Sequence, residues 1–215
     1  MIKLIPSVLT NSPSELKNMI NQAEGNTERV QIDIVDGQFA ENKTIDPEAL
    51  FYIDTNLMLD FHLMTKEPIN WVEKCIRGGA ERIIGQIEMM EDQLKFIEKV
   101  IDVGCLPGLA VDINTDIAQL DPLVLGDCDV VLIMSVPAGF QEQEFEKKSL
   151  AKVEAIVEKR KEMNLDYNIC IDGGVGLGVV KDTVNAGCDE IVVGSGLFKG
   201  DFLENMGNYH NKLFL

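Results

Sequence analysis

The sequence predicts an α/β fold of the (β/α)8 (TIM) barrel kind, folded as a single domain over residues 1–215. Three observations carry this expectation. Apolar runs of strand length alternate with amphipathic runs of helical period from one end of the chain to the other. The strand-like runs are apolar on both faces, as in a parallel sheet covered by helices. Eight such units close naturally into a barrel, and the length of 215 residues suits one. An open doubly wound sheet is the competitor, but it usually has fewer strands and a glycine-rich first turn. The first turn here, Ser7-Val8-Leu9-Thr10-Asn11-Ser12, contains no glycine.

The first strand is read over Ile2–Leu9. Ser12 follows as the N-cap of a helix reaching about Ala23, with Glu15 placed to complete a capping box. Val30–Ile34 is the second strand, and Pro47 opens a short helix over Pro47–Ile53. Leu57–Met64 is the third strand, followed by a helix over Pro68–Arg77 that Gly78-Gly79 stops. Glu81–Ile87 is the fourth, with a helix over Asp92–Val103 ending at Gly104. Leu106–Ile113 is the fifth, followed by a poor, short helix near Asp116–Leu120. Asp129–Val136 is the clearest strand, and the Lys- and Glu-rich helix Lys147–Met163 comes after it. Asn168–Asp172 and the helix Gly178–Ala186 form the seventh unit. Glu190–Val193 is the eighth strand, and the last helix begins over Leu197–Leu203.

Thirty-six acids against nineteen bases give a net charge of −17, spread along the chain and not gathered in a tail. That balance argues against nucleic acid as a partner. It also repels phosphate at long range, so a phosphate site must rely on local backbone N–H groups and helix N-termini. Five cysteines (Cys75, Cys105, Cys128, Cys170, Cys188) lack metal-type spacing and read as reduced packing thiols of a cytoplasmic protein. The opening Met1-Ile2-Lys3-Leu4-Ile5-Pro6 is broken too soon for a signal peptide. No run has the length of a membrane span, so no membrane partner is expected.

In a barrel the carboxyl ends of all strands share one face, where chemistry sits. The polar residues that fall there are Ser7, Gln31, Asp33, His62, Gln86, Glu88, Asp112, Asn114, Ser135, Asp172 and Ser195. His62 is one of only two histidines; His210, near the C-terminus, reads as a solvated helix end. A histidine closing a core strand is a ligand or proton carrier in one reading and a satisfied core residue in the other. Asp33 and Asp172, ending two further strands, favour the first. Glycines cluster late, at Gly139, Gly173-Gly174-Val175-Gly176 and Gly194-Ser195-Gly196. Each would serve as a turn; three such loops together suggest backbone amides approaching a phosphate.

Several segments then carry a resemblance over nearly the whole chain. They are Ile5-Pro6-Ser7-Val8-Leu9, Ile32-Asp33-Ile34-Val35-Asp36-Gly37-Gln38-Phe39 with Asn42, and Leu59-Asp60-Phe61-His62-Leu63-Met64. Further on come Val131-Leu132-Ile133-Met134-Ser135-Val136 with Gly139-Phe140, Ile171-Asp172-Gly173-Gly174-Val175, and Val193-Gly194-Ser195-Gly196-Leu197-Phe198. In this order they resemble the ribulose-phosphate 3-epimerase family. The resemblance implies a ribulose-phosphate-binding barrel that epimerises C3 of a ketopentose 5-phosphate. Asp33 and Asp172 match the two acid/base aspartates that work on opposite faces of an enediolate, and inversion does need a proton carrier on each side of that plane. It implies a divalent metal ion (Zn, Fe, Mn or Mg) held by Asp33, His62 and Asp172. Ser7, Met64 and Met134 match substrate-pocket residues, with core packing the other reading of the methionines. Gly139, Phe140, Gly173, Gly174, Gly194 and Ser195 match the loops around the phosphate, and Gln141 and Glu142 fall within the first of them at positions where the family has glycines. The family's dimers and hexamers imply a homo-oligomer.

The match breaks at the site itself. The second metal histidine of the family falls at Gln31, whose carbonyl oxygen is a poorer ligand for zinc or iron and acceptable to harder ions. Metal binding is therefore expected to be weak or absent. Two other family histidines fall at Gln38 and Gln86. Glu142 places an acid where the family has a glycine, harmful to phosphate if it faces the pocket and of little consequence if it faces solvent. Three functions stay open: a sugar-phosphate 3-epimerase, a related barrel enzyme on another sugar phosphate, and a non-catalytic protein that binds a phosphorylated ligand.

Overall fold

The aliphatic and β-branched runs become strands: β1 (Lys3–Val8), β2 (Arg29–Val35), β3 (Met58–Met64), β4 (Ala80–Gln86), β5 (Leu106–Val111), β6 (Val130–Met134), β7 (Asn168–Asp172) and β8 (Glu190–Val193). In the computed structural model, which describes residues 2–213, each strand pairs in parallel with the next and β8 returns to β1, closing an eight-stranded barrel. Successive side chains point to opposite faces, and both faces are apolar. Ile32, Phe61, Leu63, Ile83, Leu109, Val131 and Ile171 face outward beneath the helices. Ile5, Met64, Ile84, Ala110, Leu132, Cys170 and Val192 fill the lumen. Fully burying one such aliphatic side chain stabilises the fold by about 1.5–3 kcal/mol.

The outer layer holds α1 (Pro13–Ala23), α2 (Val72–Arg77), α3 (Gln93–Asp102), α4 (Lys148–Glu162), α5 (Val180–Ala186), α6 (Ser195–Phe198) and α7 (Phe202–Leu213). Ser12 caps α1 as expected, its Oγ accepting from the Glu15 N–H. The box closes through a third residue, because Thr10 Oγ1 donates to the Glu15 carboxylate and accepts from the Ser12 N–H at 3.0 Å. The short helices are less regular than the sequence suggests. Pro47–Tyr52 and Ile117–Gln119 are 3-10 turns, so the connections after β2 and β5 carry no α-helix. Pro68–Trp71 is also a 3-10 turn leading into α2. The last helix divides in two at Gly200, whose φ of +88° is incompatible with a right-handed helix. Among the described residues, no helix is long and apolar enough to cross a membrane. All five cysteines are buried free thiols, and burial pushes Cys128 and Cys188 up to about 12.

At the amino ends of the strands the lumen is closed by charge. Arg82 is buried and meets Asp60 at 2.6 Å, Glu190 at 2.7 Å and Asp129 at 2.9 Å. Arg29 pairs with Asp60 from the other side, and with Glu81 at 3.3 Å. Burial pushes the Asp60 carboxyl up to about 6 against the pull of Arg82 and Arg29. Burial also opposes the Arg82 charge, but Asp60 and Glu190 outweigh it and hold the guanidinium above its ordinary value.

Candidate active site

At the opposite ends of the strands, alternation does the placing. Gln31 and Asp33 are two apart on β2 and so share the lumen face. His62 is the register partner of Asp33 on β3, and Asp172 is the last residue of β7. Backbone bonds pin both acids: Thr44 Oγ1 donates to the Asp33 carbonyl at 2.8 Å. The Ser135 N–H and Oγ donate to the Asp172 carbonyl at 2.7 and 3.0 Å.

The four side chains meet. The Gln31 amide nitrogen donates to Asp33 Oδ1 at 2.8 Å and to Asp172 Oδ2 at 2.7 Å, bridging the carboxylates. His62 Nδ1 lies 3.2 Å from Asp33 Oδ1 and 3.7 Å from Asp172 Oδ2. All four are buried. Burial, then the Asp33 charge, pushes the Asp172 carboxyl up to about 6, while His62 and the Gln31 bond pull the other way. Behind His62, the Gln86 amide sits 3.2 Å from Nε2. With its nitrogen directed to Glu88 Oε2 at 2.7 Å and the Ala110 carbonyl at 3.1 Å, its oxygen accepts from His62 Nε2. The Asp112 N–H donates to the other Glu88 oxygen at 2.7 Å. Burial raises the Glu88 carboxyl.

The donor set fits a divalent cation. Asp33, His62 and Asp172 each offer a ligand atom, all within 4.8 Å of one another. Gln31 Oε1 is buried without a hydrogen-bond partner. Rotating that amide would carry an oxygen between two carboxylates, which is repulsive unless a cation sits among them. Gln31 therefore suits either state, as a donor between the acids or as a neutral oxygen ligand.

Above this floor opens a cleft of about 350 Å³. Asp33 and Asp172 line it with Ser7, Met64, Met134, Gly139, Phe140, Gln141, Glu142, Gly173, Gly174, Gly194 and Ser195. His62 and Gln31 lie beneath it and are not among the lining residues. Gln141 donates to the Leu9 carbonyl at 2.6 Å and Asn42 to the Gly139 carbonyl at 2.7 Å, so the loop after β6 is tied to the loops after β1 and β2. Loop packing by itself demands three of the glycines, Gly139, Gly173 and Gly174. Gly174 has φ +60°, and a Cβ there would sit 2.6 Å from the Gln143 carbonyl oxygen. Glu142 turns to the cleft mouth and pairs with Lys199 Nζ at 2.5 Å.

Two features escaped the sequence. Lys199 is the one basic side chain among the described residues lining the cleft, yet nothing in the pattern around it marks it. Gln86 and Glu88 stood out as polar strand ends but had no evident role until the barrel set them behind His62.

Comparison with known proteins decides the family. Residues 3–198 match the model described as the ribulose-phosphate 3 epimerase family. The chain belongs to the ribulose-phosphate 3-epimerase family. Among its relatives, the ribulose-phosphate 3-epimerase of Treponema pallidum is 32% identical over 92% of this chain and 91% of its own. That of Bacillus subtilis is 31% identical over 92% and 93%. Solved structures outside this epimerase family share the fold alone. A 3-hexulose-6-phosphate synthase superposes with TM-score 0.70 at 11% identity, covering 99% of this chain and 100% of its own. The phosphoribosyl anthranilate isomerase of Thermotoga maritima gives 0.64 at 13%, over 100% and 99%.

Proposed function

We propose that this chain is a sugar-phosphate 3-epimerase interconverting ribulose 5-phosphate and xylulose 5-phosphate. The observation that carries the reading is the meeting of Asp33 on β2 and Asp172 on β7, three strands apart around the barrel, at the floor of one cleft. One carboxylate takes the C3 proton, and the other returns a proton to the far face of the planar enediolate; the reverse reaction exchanges the roles. Such a pair needs one member protonated while the other is charged. Burial beside Asp33 prepares Asp172 for that, with its carboxyl raised to about 6. Without a cation, Gln31 orients both acids by donating to one oxygen of each. At the outer end of the cleft, Gly174, Gly176, Gly194 and Gly196 expose backbone to the phosphate, and Lys199 supplies the positive charge.

A divalent cation bound by Asp33, His62, Asp172 and a rotated Gln31 would supply positive charge against the charge developing on the substrate oxygens. Three oxygens and one imidazole suit manganese or magnesium better than zinc. Gln31→His is then expected to raise zinc affinity in calorimetric titration, and an unchanged affinity would remove Gln31 from the ligand set.

The test of the reaction is solvent deuterium exchange into C3 of ribulose 5-phosphate. Exchange is expected with the natural chain and is expected to fall by about 10²–10⁴-fold in Asp33→Asn or Asp172→Asn. Exchange that persists in both variants refutes the acid/base assignment. Thermal stabilisation by ribulose 5-phosphate without any exchange would mark a binding protein.

A further inference from the structure

We infer that Gln86, held by Glu88, is a positioning residue that keeps a proton on Nε2 of His62, so that Nδ1 alone faces the two aspartates. This role rests on the site proposed above, but its readout is independent of turnover.

Donors and acceptors around the amide can be counted. Gln86 has three polar neighbours: Glu88 Oε2 at 2.7 Å, the Ala110 carbonyl at 3.1 Å and His62 Nε2 at 3.2 Å. A backbone carbonyl only accepts, and an ionised carboxylate only accepts. Both amide hydrogens are therefore committed to Glu88 and Ala110, which leaves Oε1 for the imidazole. Reversing the amide would set its oxygen against both acceptors. A protonated Glu88 would relieve one of those contacts and leave the Ala110 carbonyl opposed. Because Oε1 can only accept, Nε2 must donate. His62 is fully buried, so no solvent substitutes for this bond, and leaving such a buried group unpaired is costly.

The other ring nitrogen is constrained in turn. Nδ1 faces Asp33 Oδ1 at 3.2 Å and Asp172 Oδ2 at 3.7 Å. Both Gln31 amide hydrogens are already given to those same oxygens. Nδ1 thus has two uses: to carry a proton toward Asp33, or to offer its lone pair to a cation shared with the acids. With Nε2 held, His62 cannot turn its lone pair away from the site by changing tautomer. An outer partner of this kind governs both the orientation and the basicity of a ligating imidazole.

Nitrogen-15 NMR of the ring nitrogens tests this directly, and a chain with two histidines gives two sets of signals, which His62→Asn assigns. In chelator-treated protein, Nε2 of His62 is expected to keep a protonated shift across neutral and mildly alkaline pH. An unprotonated Nε2 anywhere in that range overturns the inference. Gln86→Leu is expected to abolish the preference, moving Nε2 to an averaged or unprotonated shift; if that variant does not fold, Gln86→Met, of similar length without the acceptor oxygen, replaces it. A protonated Nε2 that survives loss of the amide also overturns the assignment. Calorimetric titration with Mn²⁺ gives a second readout, with affinity expected to drop about 10–100-fold in the variant. An inactive protein with Nε2–H retained would sink the epimerase reading and leave this one standing. An active protein with Nε2 unprotonated would do the reverse.

Discussion

The barrel buries charge at both ends of its lumen, and the two ends are built differently. At the amino ends, Asp60 and Glu190 are matched by Arg82, with Arg29 beside them, and every carboxylate there has a cation within reach. At the carboxyl ends, Asp33 and Asp172 meet one imidazole and one neutral amide. The first cluster pairs each buried carboxylate with a guanidinium, leaving Arg82 Nε without a hydrogen bond, and closes the lumen. The second gathers negative charge without a permanent cation, under a cleft open to a ligand. A buried ion pair whose charges are matched has no need of a proton or a further cation. A buried pair of like charges that must share a proton or take up a cation is poised to do some.

The sharpest way to break this contrast is to remove the cation from the first cluster. Arg82→Met leaves Asp60 and Glu190 buried with their main partner gone, and such loss costs about 3–5 kcal/mol. Urea unfolding is expected to register that loss, while the folded fraction keeps its exchange activity. Asp172→Asn, at the other end, is expected to cost no stability, because it deletes a charge that Asp33 opposes. If Asp172→Asn destabilised the chain as much as Arg82→Met, the two ends would be equivalent and the contrast false.

A smaller effect appears with pH. The Asp172 carboxyl stands near 6 in the fold against an ordinary value of 3.8. A group raised in this way contributes stability that is fully present below its unfolded value and lost as pH rises through its folded one. Stability of the metal-free chain is therefore expected to decline between about pH 4 and pH 6 from this group, and Asp60, raised to about 6 as well, acts in the same sense. Comparing unfolding midpoints of the natural chain and Asp172→Asn across that window isolates the share of Asp172. Parallel curves would show that the two upper acids do not oppose each other.

Much of this was readable without coordinates, and the reason is period. Strands such as Val130–Met134 declare themselves because both faces are buried, and the place of Asp33, His62 and Asp172 at strand ends follows from the run lengths alone. The amino-end cluster was not readable. Arg82 meets Glu190 across 108 positions of sequence, and that encounter depends on strand order and register, which no local pattern encodes. The turns after β2 and β5 escaped for a different reason. Pro47 and Asp46 start a turn convincingly, but it closes as a 3-10 turn, with the Ile53 N–H donating to the Leu50 carbonyl, and no local pattern marks that choice. Gln86 lies between these cases, visible as a polar strand end and meaningful only once His62 stands beside it.

The smallest expected effect sharpens the contrast at the rim, where charge is exposed instead of buried. The sequence leaves open whether Glu142 faces the cleft or the solvent, and the structure gives it a third role. Its carboxylate is held by Lys199, and both side chains are more than half exposed. The Lys199 hydrogen bond keeps the Glu142 carboxyl below its ordinary value, so it stays charged. Glu142 thus occupies Lys199, the one basic side chain among the described residues lining the cleft, and a phosphate arriving there competes for it. Water and salt screen such a pair heavily, so the competition is mild. Glu142→Gln is expected to lower KM for ribulose 5-phosphate by about two- to fivefold, the scale of an exposed ion pair, with kcat unchanged. Lys199→Met is expected to raise KM, and in its background Glu142→Gln should do little. An equal gain from Glu142→Gln with and without Lys199 would mean that the acid merely repels phosphate, and that the pairing has no part in binding.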